Sequence, residues 1–113
     1  MPVYIVNGST GEYSDHREWI VCGYAQHSMA LLLVNRLTAA FQSVVAVLGG
    51  NPYQWSIGMR ERVADLLREH DPHLELDYTG VHYYVTECEL RDDVPEITLA
   101  LEKLTADDAS EEI

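Results

Sequence analysis

From Met29 to Leu48 the apolar residues recur every three or four positions: Met29, Leu32, Leu33, Leu37, Ala40, Phe41, Val44 and Leu48. That step is the period of an α-helix with one buried face, sustained for about five turns. Ser28 offers a cap at its start. Gly49-Gly50 ends it, because glycine takes the left-handed C-terminal position without a Cβ penalty. A helix this long needs an apolar floor of comparable length, and the flanking segments supply one in the two-residue period of strands.

Val3-Tyr4-Ile5-Val6 is β-branched and aromatic, and Arg17–Tyr24 (REWIVCGY) reads as a second strand with Ile20, Cys22 and Tyr24 on one side and Trp19 and Val21 on the other. A Gly-rich connection makes the pair an antiparallel hairpin. After the long helix, Asn51-Pro52 reads as the start of a second one, with Trp55, Met59, Val63, Leu66 and Leu67 as its buried stripe, closed by His70-Asp71-Pro72. Leu74–Tyr78 alternates as a strand, Thr79-Gly80 as a turn, and Val81–Leu90 as the return strand. Pro95 opens a last helix with Ile97, Leu101 and Leu104 on its apolar side. The order is ββααββα. The expected fold is α+β, an antiparallel four-stranded sheet with helices packed on one face. A single domain is expected over residues 1–105, with an acidic, mobile tail at 106–113.

Length and composition agree with one domain, since 113 residues of which 47% are apolar suffice for a core. The longest apolar run, Met29–Val34, is far short of a bilayer span, and the first residues lack the basic-then-apolar pattern of a secretory leader. Cys22 and Cys88 fall inside strands and read as free thiols. A cytoplasmic protein is expected, with no cofactor. Charge is distributed unevenly: residues 1–70 hold six acids and five bases, whereas residues 71–113 hold thirteen acids and two bases, so −11 of the formal −12 lies in the second half. Such a surface repels nucleic acid and anionic membrane and attracts basic protein.

The connection Asn7–His16 (NGSTGEYSDH) invites three chemical readings. It lacks the lysine and the following helix of a phosphate cradle. Ser14-Asp15-His16 are neighbours in an extended loop and cannot form the hydrogen-bonded line of a catalytic triad. What remains is a turn with Tyr13 folded over the hairpin, or a contact loop in which Glu12, Tyr13, Asp15 and His16 meet a ligand or partner. His70 and His73 have a ligand-like spacing, but Pro72 separates them and no third ligand is evident, so no metal site is expected. No catalytic residue is assigned.

The strongest signal is electrostatic. Glu75, Asp77, Glu87 and Glu89 fall on two strands read as paired, and Asp92, Asp93 and Glu96 continue the series. A rigid band of carboxylates imitates the phosphate spacing of nucleic acid. The expected partner is a basic, nucleic-acid-binding host protein, with Tyr78 or Tyr83 as aromatic anchors and no direct contact to nucleic acid or membrane. Strand VYIV, then Gly11-Glu12-Tyr13-Ser14-Asp15, then a strand leading into a helix, resembles a group of small phage and prophage proteins without assigned activity. The resemblance implies a mobile-element accessory protein and, by analogy with anti-CRISPR proteins, an inhibitor. Two alternatives stand beside it. One is a small enzyme or ligand-binding domain with its site at residues 8–16. The other is a homo-oligomer, a homodimer at its simplest, because Leu31 and Val45 widen the apolar face of the long helix.

Overall fold

A computed structural model describes residues 1–100. Strand β1 (Pro2–Thr10) lies between β2 (Arg17–Tyr24) and β3 (His82–Glu89), antiparallel to both. Helix α1 (His27–Leu48) lies across one face, and helix α2 (Ile57–Arg68) follows a single 3₁₀ turn at Pro52–Gln54. The fold is α+β, with a three-stranded sheet and two helices in place of the four strands and three helices expected.

The missing strand is Leu74–Tyr78. Only one bridge, Asp77 to Gly80, joins it to the return segment. Strand β3 pairs with β1 along eight residue pairs, Pro2–Glu89 to Ser9–His82, and among the described residues its outer edge carries no strand. The 74–77 segment is held elsewhere: Leu74 N donates to Asp71 O (3.1 Å), Leu74 O accepts from Arg68 Nε (3.3 Å), and Asp77 N donates to Thr10 Oγ1 (3.2 Å). Leu74 still reaches the core.

The expected last helix is also corrected, for Pro95–Ala100 takes no helical structure. Val94, Ile97 and Leu99 are exposed and meet no surface, and a short helix without such a surface cannot offset its nucleation cost. Leu101, Leu104 and the tail at 106–113 lie outside the described residues.

Two further boundaries shift. Helix α1 begins two residues earlier than its Ser28 cap implied, from Gln26, whose side chain makes no capping bond. Asn51 caps the 3₁₀ turn, accepting from Tyr53 N (3.0 Å), while α2 is capped by Ser56, which accepts from Met59 N (3.2 Å).

Strand β2 departs from simple alternation. Val6 pairs with Cys22 but Asn7 with Ile20, so Val21 is an extra residue, a β-bulge. Trp19, Cys22 and Tyr24 therefore share the face of Gly8, Val6 and Tyr4, while Ile20 turns to solvent. Trp19 lies flat over Gly8, where an added Cβ would stand 2.5 Å from the indole ring.

Two apolar clusters result. Val6, Ala30, Leu37 and Tyr83 join α1 to the sheet, and Phe41, Trp55, Val63, Ala64, Leu67 and Leu74 join α1 to α2. Fully buried Asp71, from the segment that closes α2, ties them together. Its carboxyl oxygens accept from Trp19 Nε1 (2.9 Å to each) and from Tyr83 OH (2.8 Å). Burial, and then the bond to Asp71, raise the pKa of Tyr83 well above the ordinary tyrosine range. Tyr83 thus belongs to the core and is no surface anchor.

Asp71→Ala leaves an indole N–H and a phenol O–H buried without acceptors, at a cost of about 1–3 kcal/mol for each such group. The expected outcome in urea denaturation is a loss of about 3 kcal/mol, against almost none for the exposed Asp92→Ala. Equal midpoints for the two variants would remove Asp71 from its structural role.

Candidate functional site

The end of the sheet where β1 stops is built from two turns that hold one another. Thr10 Oγ1 donates to Gly80 O, and Gly11 N donates to Thr79 Oγ1 (2.8 Å). Gly80 N closes the Asp77–Gly80 turn on Asp77 O (2.9 Å). Gly80 takes φ +79°, with its missing Cβ facing the Phe41 ring, so no side chain fits there. These bonds, across chain separations of 70 and 68 residues, bring the GEYSD loop of the first hairpin against the DYTG turn.

Between them opens a cleft of about 310 Å³, lined by Thr10, Asp15, Arg17, Tyr53, Glu75 and Asp77 among others. Arg17 Nη1 lies 3.1 Å from both oxygens of Glu75. Asp15 and Asp77 make no ion pair among the described residues. Tyr53 and Tyr78 stand with ring centroids 6.2 Å apart, and the Arg60 guanidinium lies 5.0 Å from the centroid of Tyr53. Partial burial raises the pKa of Tyr78, and the negative charges of Asp15, Glu12 and Asp77 raise it further. The carboxylates of Asp15, Glu75 and Asp77 thus line one cleft.

Of the loop residues read from sequence, Asp15 lines this cleft, while Glu12 lines a neighbouring recess with Thr79 and His82. Tyr13 does not fold over the hairpin. It stands at the loop tip, 93% exposed, with φ +56°, a left-handed conformation uncommon for a bulky residue. His16 turns away: its Nδ1 contacts Gly11 O (3.2 Å) and its Nε2 lies 3.3 Å from Glu18 Oε1. Ser14, Asp15 and His16 therefore share no hydrogen-bonded line, and the expected convergence of Tyr13, Asp15 and His16 on one pocket is not formed.

The acidic series is divided. Glu75 and Asp77 flank the cleft, while Glu87 and Glu89 sit at the far end of β3, about 20 Å away by strand rise. Glu89 there pairs with the N-terminal ammonium. Asp92, Asp93 and Glu96 lie on the exposed segment beyond. Among the described residues no three His, Cys, Asp or Glu side chains are grouped to hold a metal ion.

Sequence reasoning missed Arg17 and Tyr53 as cleft residues, and Arg60 as the cation over the Tyr53 ring. Nothing local marks them, since each enters from a different element. Comparison with family models, with curated proteins and with solved structures finds no match.

The loop carries its own pH signature. The bond to Gly11 O, then that to Glu18, raise the pKa of His16 above 6.5. The bond from Tyr84 OH, then that from His16, lower the pKa of Glu18 below 4.5. The contribution of protonated His16 is complete below 6.5 and is lost as pH rises through its raised folded value. That of Glu18 is complete above 4.5 and is lost as pH falls through its lowered value. The pair is strongest between the two. In an NMR titration, the midpoint of His16 should drop towards its ordinary value in Glu18→Gln, and an unchanged midpoint would dismiss the pair.

Proposed function

We propose that the protein is a non-enzymatic binding module whose end-of-sheet cleft receives a lysine or arginine side chain from a basic partner protein. The observation that carries this reading is the cleft itself, lined by the carboxylates of Asp15, Glu75 and Asp77 beside the exposed ring of Tyr53. A cation placed there meets carboxylates and aromatic faces together, the combination that holds ammonium and guanidinium groups. Arg60 already lies over the Tyr53 ring, so that ring suits a guanidinium. Tyr13 at the tip, held in a sparsely populated backbone region, supplies an exposed aromatic contact next to the cleft.

Proteins that bind nucleic acid present clustered lysine and arginine, which makes a host protein of that class the proposed partner, and inhibition the consequence of occupying its basic surface. The strand–GEYSD–strand start gives the same proposal its mobile-element setting. The acids of β3 and the segment beyond, Glu87, Glu89, Asp92, Asp93 and Glu96, then act at a distance, steering a basic partner rather than forming the contact.

Titration with short arginine and lysine peptides, followed by amide chemical shifts, tests this directly. Shifts are expected at Asp15, Tyr53, Asp77 and Tyr78, and they should vanish at high salt. Asp15→Asn with Asp77→Asn should weaken binding about tenfold, or ~1.4 kcal/mol for two part-exposed charge contacts. Shifts confined to residues 87–96, or a double variant that binds as well as wild type, would refute the cleft.

A further inference from the structure

The geometry points to a homodimer in which α1 packs antiparallel against α1 of a second copy, about a two-fold axis at Ala39. Helix α1 is long and apolar enough, by length and composition, to cross a membrane, yet only 11% of its most apolar stretch is buried. The inner face of α1 is accounted for, with Ala30, Leu37 and Phe41 on the sheet and against α2. The remainder leaves Met29, Leu31, Leu32 and Val47 in solvent, Val47 at 81% exposure. Among the described residues more large apolar side chains are exposed than buried, so the single chain does not complete its own core.

Three features select a second copy as the occupant. The first is self-complementarity. Leu32, Ala39 and Ala46 are exposed at seven-residue steps and form the outermost ridge. An antiparallel two-fold at Ala39 sets Leu32 against Ala46 of the second copy, large against small. The same axis brings Asn35 beside Gln42 of the second copy on one flank and Arg36 beside Ser43 on the other, so the polar positions also meet polar positions. A surface that matches itself under rotation is what an isologous interface requires.

The second is charge. In a chain of net −12, α1 holds no Asp or Glu. It is the one long element on which two such acidic molecules can approach without carboxylates facing each other.

The third is size. A 22-residue helix is about 33 Å long. Its outward strip continues onto α2 through exposed Leu66 and an apolar recess of about 320 Å³ that Ala40, Val44 and Leu66 help to line. A strip of that length with its flanks is comparable to the roughly 800 Å² that each partner gives to a stable complex.

A bilayer is the competing occupant. Asn35 and Arg36 stand near the middle of α1, where a span would place them in hydrocarbon, and the acidic second half repels an anionic surface.

Light scattering on the full chain over a range of concentrations should give twice the 12.8 kDa chain mass. Leu32→Glu with Ala39→Glu, both at exposed positions, should give the monomer mass with an unchanged circular dichroism spectrum. Independently, mild oxidation of Ala39→Cys should link two chains through position 39, as mapped by peptide mass, while Ala46→Cys should not self-link. Monomer mass at every concentration, linkage at 46 rather than 39, or co-sedimentation of a monomer with neutral phosphatidylcholine vesicles would each overturn the antiparallel dimer.

Discussion

One carboxyl group holds the parts of this molecule together. Asp71 has no apolar surface to contribute, yet it is fully buried where both edge strands and the end of α2 meet. A buried acid is costly unless every lone pair facing the interior finds a donor. Here the donors are the polar tips of two aromatic residues, Trp19 and Tyr83, whose rings pack in the two apolar clusters. The arrangement ties β2 and β3, which never touch each other in the sheet, to a single point. It also gives both aromatic side chains the acceptor that a buried indole or phenol requires.

Much of the architecture is legible in the residues. The step of three and four from Met29 to Leu48 and the glycine stop at Gly49 belong to local chemistry, and α1 follows them to the residue at its C-terminus. The second and return strands lie where expected, whereas β1 runs on through Asn7–Thr10, which reads as loop, and the bulge brings Trp19 onto the face of Cys22 and Tyr24. What local pattern could not reveal is which partner a strand prefers. Leu74–Tyr78 alternates as cleanly as any strand, but Leu74 is drawn into the α2 cluster and Arg68 and Thr10 engage the backbone around it, so the outer edge of β3 is left without a strand among the described residues. The three-stranded sheet follows.

The candidate cleft was legible in part for a related reason. Glu12 and Asp15 stand out in the sequence as charged residues in a polar connection, and Glu75 and Asp77 as the acidic side of an alternating segment. Arg17, Tyr53 and Arg60 do not, because a strand arginine, a tyrosine beside a proline and a helix arginine all have ordinary structural explanations. Their meaning comes from Thr10 and Thr79, whose hydroxyls fasten two distant turns side by side. The hydroxyls are modest residues, and their spacing carries no recognisable motif.

The bulge at Val21 bears on how this chain can change over time. It shifts the inward parity of β2 by one position, so that Tyr24 at one end and Trp19 at the other both face the core. Trp19 and Tyr24 are an odd number of positions apart, so they share the core face only because Val21 is taken up in the bulge. Removing Val21 would leave an even spacing, and simple alternation would then keep both rings inward. What the present length forbids is a straightened strand, in which either Trp19 would lose Asp71 or Tyr24 would leave the α1 side of the sheet.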